Sequence, residues 1–422
     1  MSNTIQMLTL HVTVEQALDL LCSVSHVPLS EPVPIEEASG RVLAEEFRSP
    51  FPMPPYRRAA MDGYAVRAAS IASATPERPA RLSVVREIKA GDDAGNDGNI
   101  GAGAGNALRV FTGAPVPDEY DTVVMQETVV LESGDDANGT IRVDRASPEG
   151  KHVAEAGEDI PKGKTVLTRG TPLGAKEIGL LAAFGCTEVQ AYAKPKAVVL
   201  PIGDELIGPD QPPTPYRIYD ANGFMLEARL KELGASVTRR EPLPDDPEAI
   251  AHGLEQALRK ADIVVTTGGI SVGKYDHAAR ALNRIGASPL FTKVAMRPGT
   301  PTSAYAYREK RVICLSGNPS ACFAGMELLL KPFVVSRTGR TDYMNEWTVG
   351  QLLDPVAKPS PYPRYIRCRA EIFGDNCLVA PLGNDKSGNM AAFADANALA
   401  LIPAGGRGAE RGERVRVLRL NR

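Results

Sequence analysis

The stretch Ala261–His277, ADIVVTTGGISVGKYDH, decides how this chain is read. Ile263, Val264 and Val265 form a β-branched run of the kind that makes a buried strand. Thr266, Thr267, Gly268 and Gly269 break that run, and a helical pattern resumes near Asp276. A strand ending in a Gly-Gly turn before a helix gathers backbone N–H groups and a positive helix terminus around one point. Such a point suits an oxyanion such as a phosphate, and the glycines leave the backbone open to its approach. Ser271 adds a hydroxyl and Asp276 a metal-binding carboxylate, which moves the reading from an ordinary turn to a binding turn.

Working outward, the same alternation continues on both sides. KAVVLPIG (196–203) reads as a strand, and DANGFMLEARLKELG (220–234) as a helix with Leu226, Leu230 and Leu233 on one face and Gly234 as its stop. ASVTRREPL (235–243) is a strand and DPEAIAHGLEQALRKA (246–261) a helix. A helix over 276–285, strands over 289–295 and 311–315, and a helix over 319–335 complete the unit. Alternating β and α elements predict a parallel sheet with helices on both faces, whose ligands bind at the carboxyl ends of the strands. GDE (203–205), TTGG (266–269) and SGNP (316–319) all fall on that edge. Asp204 and Glu205 there fit a Mg²⁺ or ligand role, with Asp276 completing a hard oxygen site. Asn318 before Pro319 reads first as a helix N-cap and only secondarily as a ligand contact. Lys293 and Arg297, near a strand end, read as anion contacts.

Elsewhere the signals are simpler. Residues 12–47 read as helical, with Val14, Ala17, Leu18 and Leu21 at helix spacing, and Ser49–Tyr56 is a proline-rich boundary. Residues 61–144 carry strand patterns separated by turn residues and predict a small β domain. The Gly-rich run Gly91–Asn106 contains GxGxG but no following helix, so it is a turn and not a dinucleotide site. A helix is expected from Ala175 to Phe184, and a second β domain after Thr338. On spacing alone Asp62-Gly63, Glu158-Asp159 and Ser387–Met390 are ordinary turns.

The bulk properties exclude several classes. The chain has 422 residues with 48 basic and 51 acidic side chains, net −3, which favours neither nucleic acid nor a membrane surface as partner. No apolar run approaches the roughly 20 residues of a membrane span, and no secretory signal is visible, so a cytoplasmic location is expected. The six cysteines lack a CxxC pair, and with only five scattered histidines neither a disulfide framework nor a zinc site is expected.

Taken together, MPPYRRAAMDGYAV (53–66), RVFTGAPVPDEYDTVVMQE (109–127), AGEDI (156–160), GDEL (203–206), IYDANG (218–223), TTGGISVGKYD (266–276), VAMRPGTP (294–301) and LSGNP (315–319) resemble, in order, the molybdopterin molybdenumtransferases. That family includes bacterial MoeA and the gephyrin E domain. The resemblance implies a multidomain α/β and β architecture: a linker-like domain from residues 1–49 and 150–193, a β insertion over 50–149, a mostly parallel molybdopterin-binding α/β domain over 194–338, and a C-terminal β barrel over 339–422. It implies an elongated homodimer and a Mg²⁺-dependent insertion of molybdate into adenylyl-molybdopterin with release of AMP. By resemblance Gly268, Gly269 and Ser271 form the phosphate and pterin turn. Asp204, Glu205 and Asp276 lie near the metal and nucleotide, and Lys293, Arg297, Arg367, Arg369 and Ser387 lie in the motifs of the molybdate pocket. Asp62 and Asp159 become acidic positions contributed across the dimer cleft. The chain departs from the family at Thr300, where a Lys is usual, at Lys274, where an acid is usual, and at Arg57, Arg58 and Ala59, where Asp-Asn-Ser is usual. A tungstate-specific paralogue, a non-catalytic dimeric scaffold and the preceding adenylyltransferase are the competing expectations.

Overall fold

A computed structural model describes residues 11–23, 28–93, 103–270, 277–374, 376–383 and 389–420. The chain forms two compact units: residues 1–45, 170–178 and 187–422 make the first, and 46–169 with 179–186 the second.

In the first unit, helix α1 (Val14–Cys22) is capped reciprocally by Thr13 and Gln16 and buries Val14, Ala17, Leu18 and Leu21. The helical pattern expected over 12–47 stops there. Pro28, Pro32 and Pro34 remove N–H donors, and the chain turns extended at Ser30–Pro34.

The central sheet contains β1 (Lys196–Pro201), β2 (Ser236–Arg239), β3 (Ile263–Thr267), β4 (Ser288–Phe291), β5 (Ser303–Tyr307) and β6 (Lys310–Leu315). Their order is β2-β1-β3-β6-β5-β4. The first four neighbours are parallel, while β5 and β4 run antiparallel at one edge. The sheet is therefore mostly but not wholly parallel. The alternation misses β5, and the strand expected over 289–295 divides into β4 and a two-residue piece at Lys293–Val294, which pairs with His11–Val12.

Helices α2 (Ala221–Glu232), α3 (Pro247–Lys260), α4 (His277–Arg284), α5 (Pro319–Gly325) and α6 (Lys331–Arg337) cover the two faces. Strand alternation sorts the core. Ala197, Val199, Ile263, Val265, Ile313 and Leu315 pack with Leu226, Leu230, Phe333 and the apolar face of α1. Val198, Leu200, Val264, Val312 and Cys314 pack with Ile250, Leu254, Leu258 and Leu282. Both faces being covered is why these strands read as continuous apolar runs. The single helix expected over 319–335 is interrupted by a π turn, Met326–Leu330, where Pro332 lacks the N–H an α register would use.

Five strands close the C-terminal barrel: β7 (Trp347–Leu352), β8 (Arg364–Phe373), β9 (Asn376–Pro381), β10 (Ala398–Ile402) and β11 (Arg414–Arg419), in the order β7-β9-β8-β10-β11. Ile366, Cys368 and Ala370 of β8 point into it with Val379, Ala400 and Val417. The second unit carries a six-stranded sheet that includes Gly63–Val66, Ala80–Ile88 and Asn106–Val110.

Candidate functional site

Three turns meet at the carboxyl edge of the central sheet. Ile202 N–H donates to the Thr267 carbonyl at 2.9 Å, and Gly268 N–H donates to the Leu315 carbonyl at 3.1 Å. Gly268 has φ +83°, and a Cβ on it would stand 2.1 Å from the Ile202 carbonyl oxygen. A Cβ on Gly317 would lie 3.4 Å from the Gly268 Cα. Gly268 is glycine because its φ is left-handed and the Ile202 carbonyl leaves no room for a Cβ. Its amide is spent inside the fold, on the Leu315 carbonyl. Asn222, at the start of α2, ties the turns from behind, its side-chain N–H₂ donating to Thr267 Oγ1 at 3.1 Å and to the Gly317 carbonyl at 2.8 Å. Asp220 caps α2 by accepting from Gly223 N–H at 2.7 Å, and burial pushes its carboxyl above the ordinary range.

The acidic part of this rim is larger than the sequence suggests. Asp204 N–H donates to the Asp245 carboxylate at 3.4 Å and Asp245 N–H to the Asp204 carboxylate at 3.3 Å, which ties the two residues together. Asp245 escapes sequence reading because Asp246 takes the helix signal, accepting from Ala249 N–H at 2.8 Å as N-cap of α3. The Glu205 carboxylate folds back over Gly203. Asp276, Ser271 and Lys274 lie outside the described residues, and among the described residues no group of three or more His, Cys, Asp or Glu side chains could hold a metal ion. The Asp204 and Asp245 carboxylates are oxygen donors of the hard kind that Mg²⁺ prefers.

Beside the rim, α5 and β8 enclose a cavity of about 230 Å³ lined by Arg297, Ser320, Lys358, Arg364 and Arg367 among others. Asn318 caps α5, accepting from the Ser320 and Ala321 N–H groups at 3.2 and 3.4 Å. That cap aims the first turn of α5 at the cavity, and Ser320 Oγ is buried there with no hydrogen-bond partner among the described residues. Arg367 is fixed by donating to the Asn389 carbonyl at 2.7 Å and by stacking 4.6 Å over Phe393. Arg297 hydrogen-bonds through its main chain to Pro363 and Tyr365, holding the VAMRPGTP loop against β8. A buried hydroxyl and several basic side chains around a small cavity suit a compact oxyanion.

Lys293 and Arg369, also singled out by the sequence, do not line this cavity. Lys293 sits in the short ladder with His11. Arg369 is exposed and paired with Glu371 at 2.7 Å. Ser387 lies outside the described residues. Thr300, where the family has Lys, turns its hydroxyl back to the Met296 carbonyl at 2.6 Å.

In the second unit the Asp62 carboxylate accepts from both the N–H and the hydroxyl of Thr112, at 2.7 and 2.8 Å. Those two donors hold it below the ordinary carboxylate range. Asp159 is exposed, and its amide donates to the Met53 carbonyl at 3.1 Å. Arg57 pairs with Glu155 at 3.0 Å and Asp118 at 3.2 Å, so this gained charge is neutralised locally.

Three family models match: MoeA N-terminal region (domain I and II) over residues 12–185, the probable molybdopterin binding domain over 198–335, and MoeA C-terminal region (domain IV) over 349–420. A molybdopterin molybdenumtransferase of Bacillus subtilis is 34% identical over 96% of this chain and 94% of its own length. The chain belongs to the molybdopterin molybdenumtransferase family. A Staphylococcus aureus molybdopterin molybdenumtransferase is 31% identical over 92% of this chain and 90% of its own. The crystal structure of a molybdopterin biosynthesis moea protein from Pyrococcus horikosii superposes with a TM-score of 0.83 at 31% identity, covering 97% of this chain and 99% of that one. As a molybdopterin molybdenumtransferase family member, the chain is a transferase of molybdenum cofactor biosynthesis. No helix among the described residues is long and apolar enough to cross a membrane.

Proposed function

We propose that the chain inserts molybdate into adenylyl-molybdopterin and releases AMP, with the cavity between α5 and β8 as the molybdate seat. The observation that carries this reading is the buried Ser320 hydroxyl, without a hydrogen-bond partner among the described residues, in a cavity lined by Arg297 and Arg367. A tetrahedral dianion there receives one neutral and two charged donors without displacing a carboxylate. The two dithiolene sulfurs replace two molybdate oxygens, which leave as water once protonated, and hydrolysis of the phosphoanhydride frees AMP. Arg297 and Arg367 hold and orient the oxyanion, and the interlocked rim keeps the pterin phosphate at a fixed distance from it.

Mg²⁺ belongs to the same proposal, with Asp204, Glu205 and Asp276 as its ligands and Asp245 beside them; when bound, it screens the charge of the phosphoanhydride. Gly269 and Ser271 contact the pterin phosphate, with Gly268 acting through the shape of the turn. Lys293, Arg369 and Ser387 remain candidates for the approach to the cavity. The assembly is a cytoplasmic homodimer in which Asp62 and Asp159 serve the partner's cleft. The test is AMP release from adenylyl-molybdopterin with Mg²⁺, run with molybdate and tungstate in parallel. Release that requires molybdate and disappears in Arg367→Ala supports the reading. Pterin binding with no AMP release from the wild type overturns it.

A further inference from the structure

At the opposite, amino-terminal edge of the central sheet lies a second cavity of about 370 Å³, lined by Asp262, Arg308, Glu309, Lys310 and Arg337 among others. Three elements meet there: the start of β3, the β5–β6 turn and the last residue of α6. Arg337 is 6% exposed, and one of its terminal nitrogens is buried with no hydrogen-bond partner among the described residues. Arg311, 1% exposed, stands close enough behind Arg337 for the two guanidiniums to repel, and its Nε is likewise unpartnered. Burial pushes both guanidiniums below their ordinary range. Burying a charge without a partner is costly, and two such groups side by side are more so.

Among the described residues no carboxylate pairs directly with Arg337: its guanidinium lies 5.0 Å over the Phe333 ring, and Asp262 attracts it only from a distance. The Asp262 carboxylate accepts from Lys196 N–H at 3.1 Å, and Glu309 is exposed on the turn. The nearby Cys22 thiol is pushed up by burial and stays neutral. Lys310 donates to the Leu258 carbonyl, which leaves two of its three N–H groups for another acceptor. Arg308, Lys310, Arg337 and Arg311 set against Asp262 and Glu309 leave two positive charges in excess.

We propose that this cavity binds a phosphate dianion or a small phosphate monoester, held by Arg337 and Lys310 with Arg308 at the mouth. A dianion matches the excess charge, and its oxygens supply acceptors for the orphaned N–H groups. The site is separated from the molybdate seat by the length of the sheet's strands and does not depend on that assignment.

The test uses the full chain carrying Arg297→Ala and Arg367→Ala, which silences the other oxyanion cavity. Inorganic phosphate and methyl phosphate are titrated by calorimetry at constant ionic strength against a chloride control. One phosphate per chain is expected, weakened at least tenfold by Arg337→Gln. Arg308→Gly, at an exposed turn position with φ +55° that glycine tolerates, weakens it several-fold without affecting folding. Methyl phosphate binding as tightly as phosphate assigns the site to monoesters, and its exclusion assigns it to the free ion. Arg337→Gln is expected to leave the melting temperature unchanged or raised in phosphate-free buffer. No phosphate binding by the background protein overturns the proposal. So does unaltered binding in both variants, or an Arg337→Gln protein that melts earlier than its parent in phosphate-free buffer.

Discussion

Gly268→Ala tests whether the rim works through the interlocking of its turns. The residue has φ +83°, and the new methyl would stand 2.1 Å from the Ile202 carbonyl oxygen. Restoring an ordinary contact near 3.4 Å requires a displacement of about 1.3 Å, carried into the GDE turn that directly follows Ile202. Gly286→Ala separates this from the conformational penalty, since its φ is +80° and nothing lies within 4 Å of the added Cβ. Gly286→Ala should cost only the left-handed backbone penalty, about 1–2 kcal/mol, and keep near-wild-type AMP release. Gly268→Ala pays the same penalty and also misplaces the carboxylate turn by roughly 1 Å, an error of the size that costs on the order of 100-fold in rate. The assay compares kcat/KM for AMP release in the two variants after matching their folded fractions by circular dichroism. If Gly268→Ala turns over within threefold of Gly286→Ala, the interlocking argument is wrong.

Other expectations follow from single contacts. Arg367→Ala removes charged donors worth about 1.5–3 kcal/mol, so the KM for molybdate should rise roughly 10- to 100-fold; an unchanged KM removes Arg367 from the seat. Arg229 holds the 2%-exposed Glu327 through contacts of 2.8 and 3.0 Å. Arg229→Ala strands that carboxylate at a cost of about 3–5 kcal/mol, and Arg229→Met with Glu327→Leu should recover most of it in urea unfolding; a double variant no better than the single one refutes this. Thr112 holds the Asp62 carboxyl below the ordinary carboxylate range, so its stabilising contribution is present above the unfolded chain's carboxylate range and lost as pH falls through the lower folded value. Thr112→Val should raise the Asp62 midpoint in carbon-13 NMR titration, and no change would contradict the assigned cause.

The α/β layer is legible in the sequence because both of its faces are covered. Val198 and Val264 pack on one side and Val199 and Val265 on the other, so the strands appear as unbroken apolar runs. Capping side chains punctuate the helices: Asp220, Asp246 and Asn318 each accept from the first turn that follows. β5 is less legible because SAYAY alternates alanine with larger residues, without a β-branched run, and owes its place to pairing with β4 and β6. The π turn before Lys331 depends on an interior register that no local pattern reports. Within the site, Asp245 is hidden beside a stronger capping signal, and Ser320 gains its meaning only when α5 is laid against β8. Arg367 and Arg369 lie two residues apart on one strand face, yet one is buried against the α/β layer and the other pairs with Glu371 in solvent. Sequence spacing gives the shared face, and only tertiary packing gives where the contact ends.

The most direct measurement is an anomalous difference map, recorded at the molybdenum edge, from crystals of the full chain soaked in molybdate. The account predicts a molybdenum peak in the cavity between α5 and β8, within hydrogen-bonding reach of Ser320 Oγ and the Arg367 guanidinium. A peak elsewhere, with that cavity empty at saturating molybdate, would contradict it.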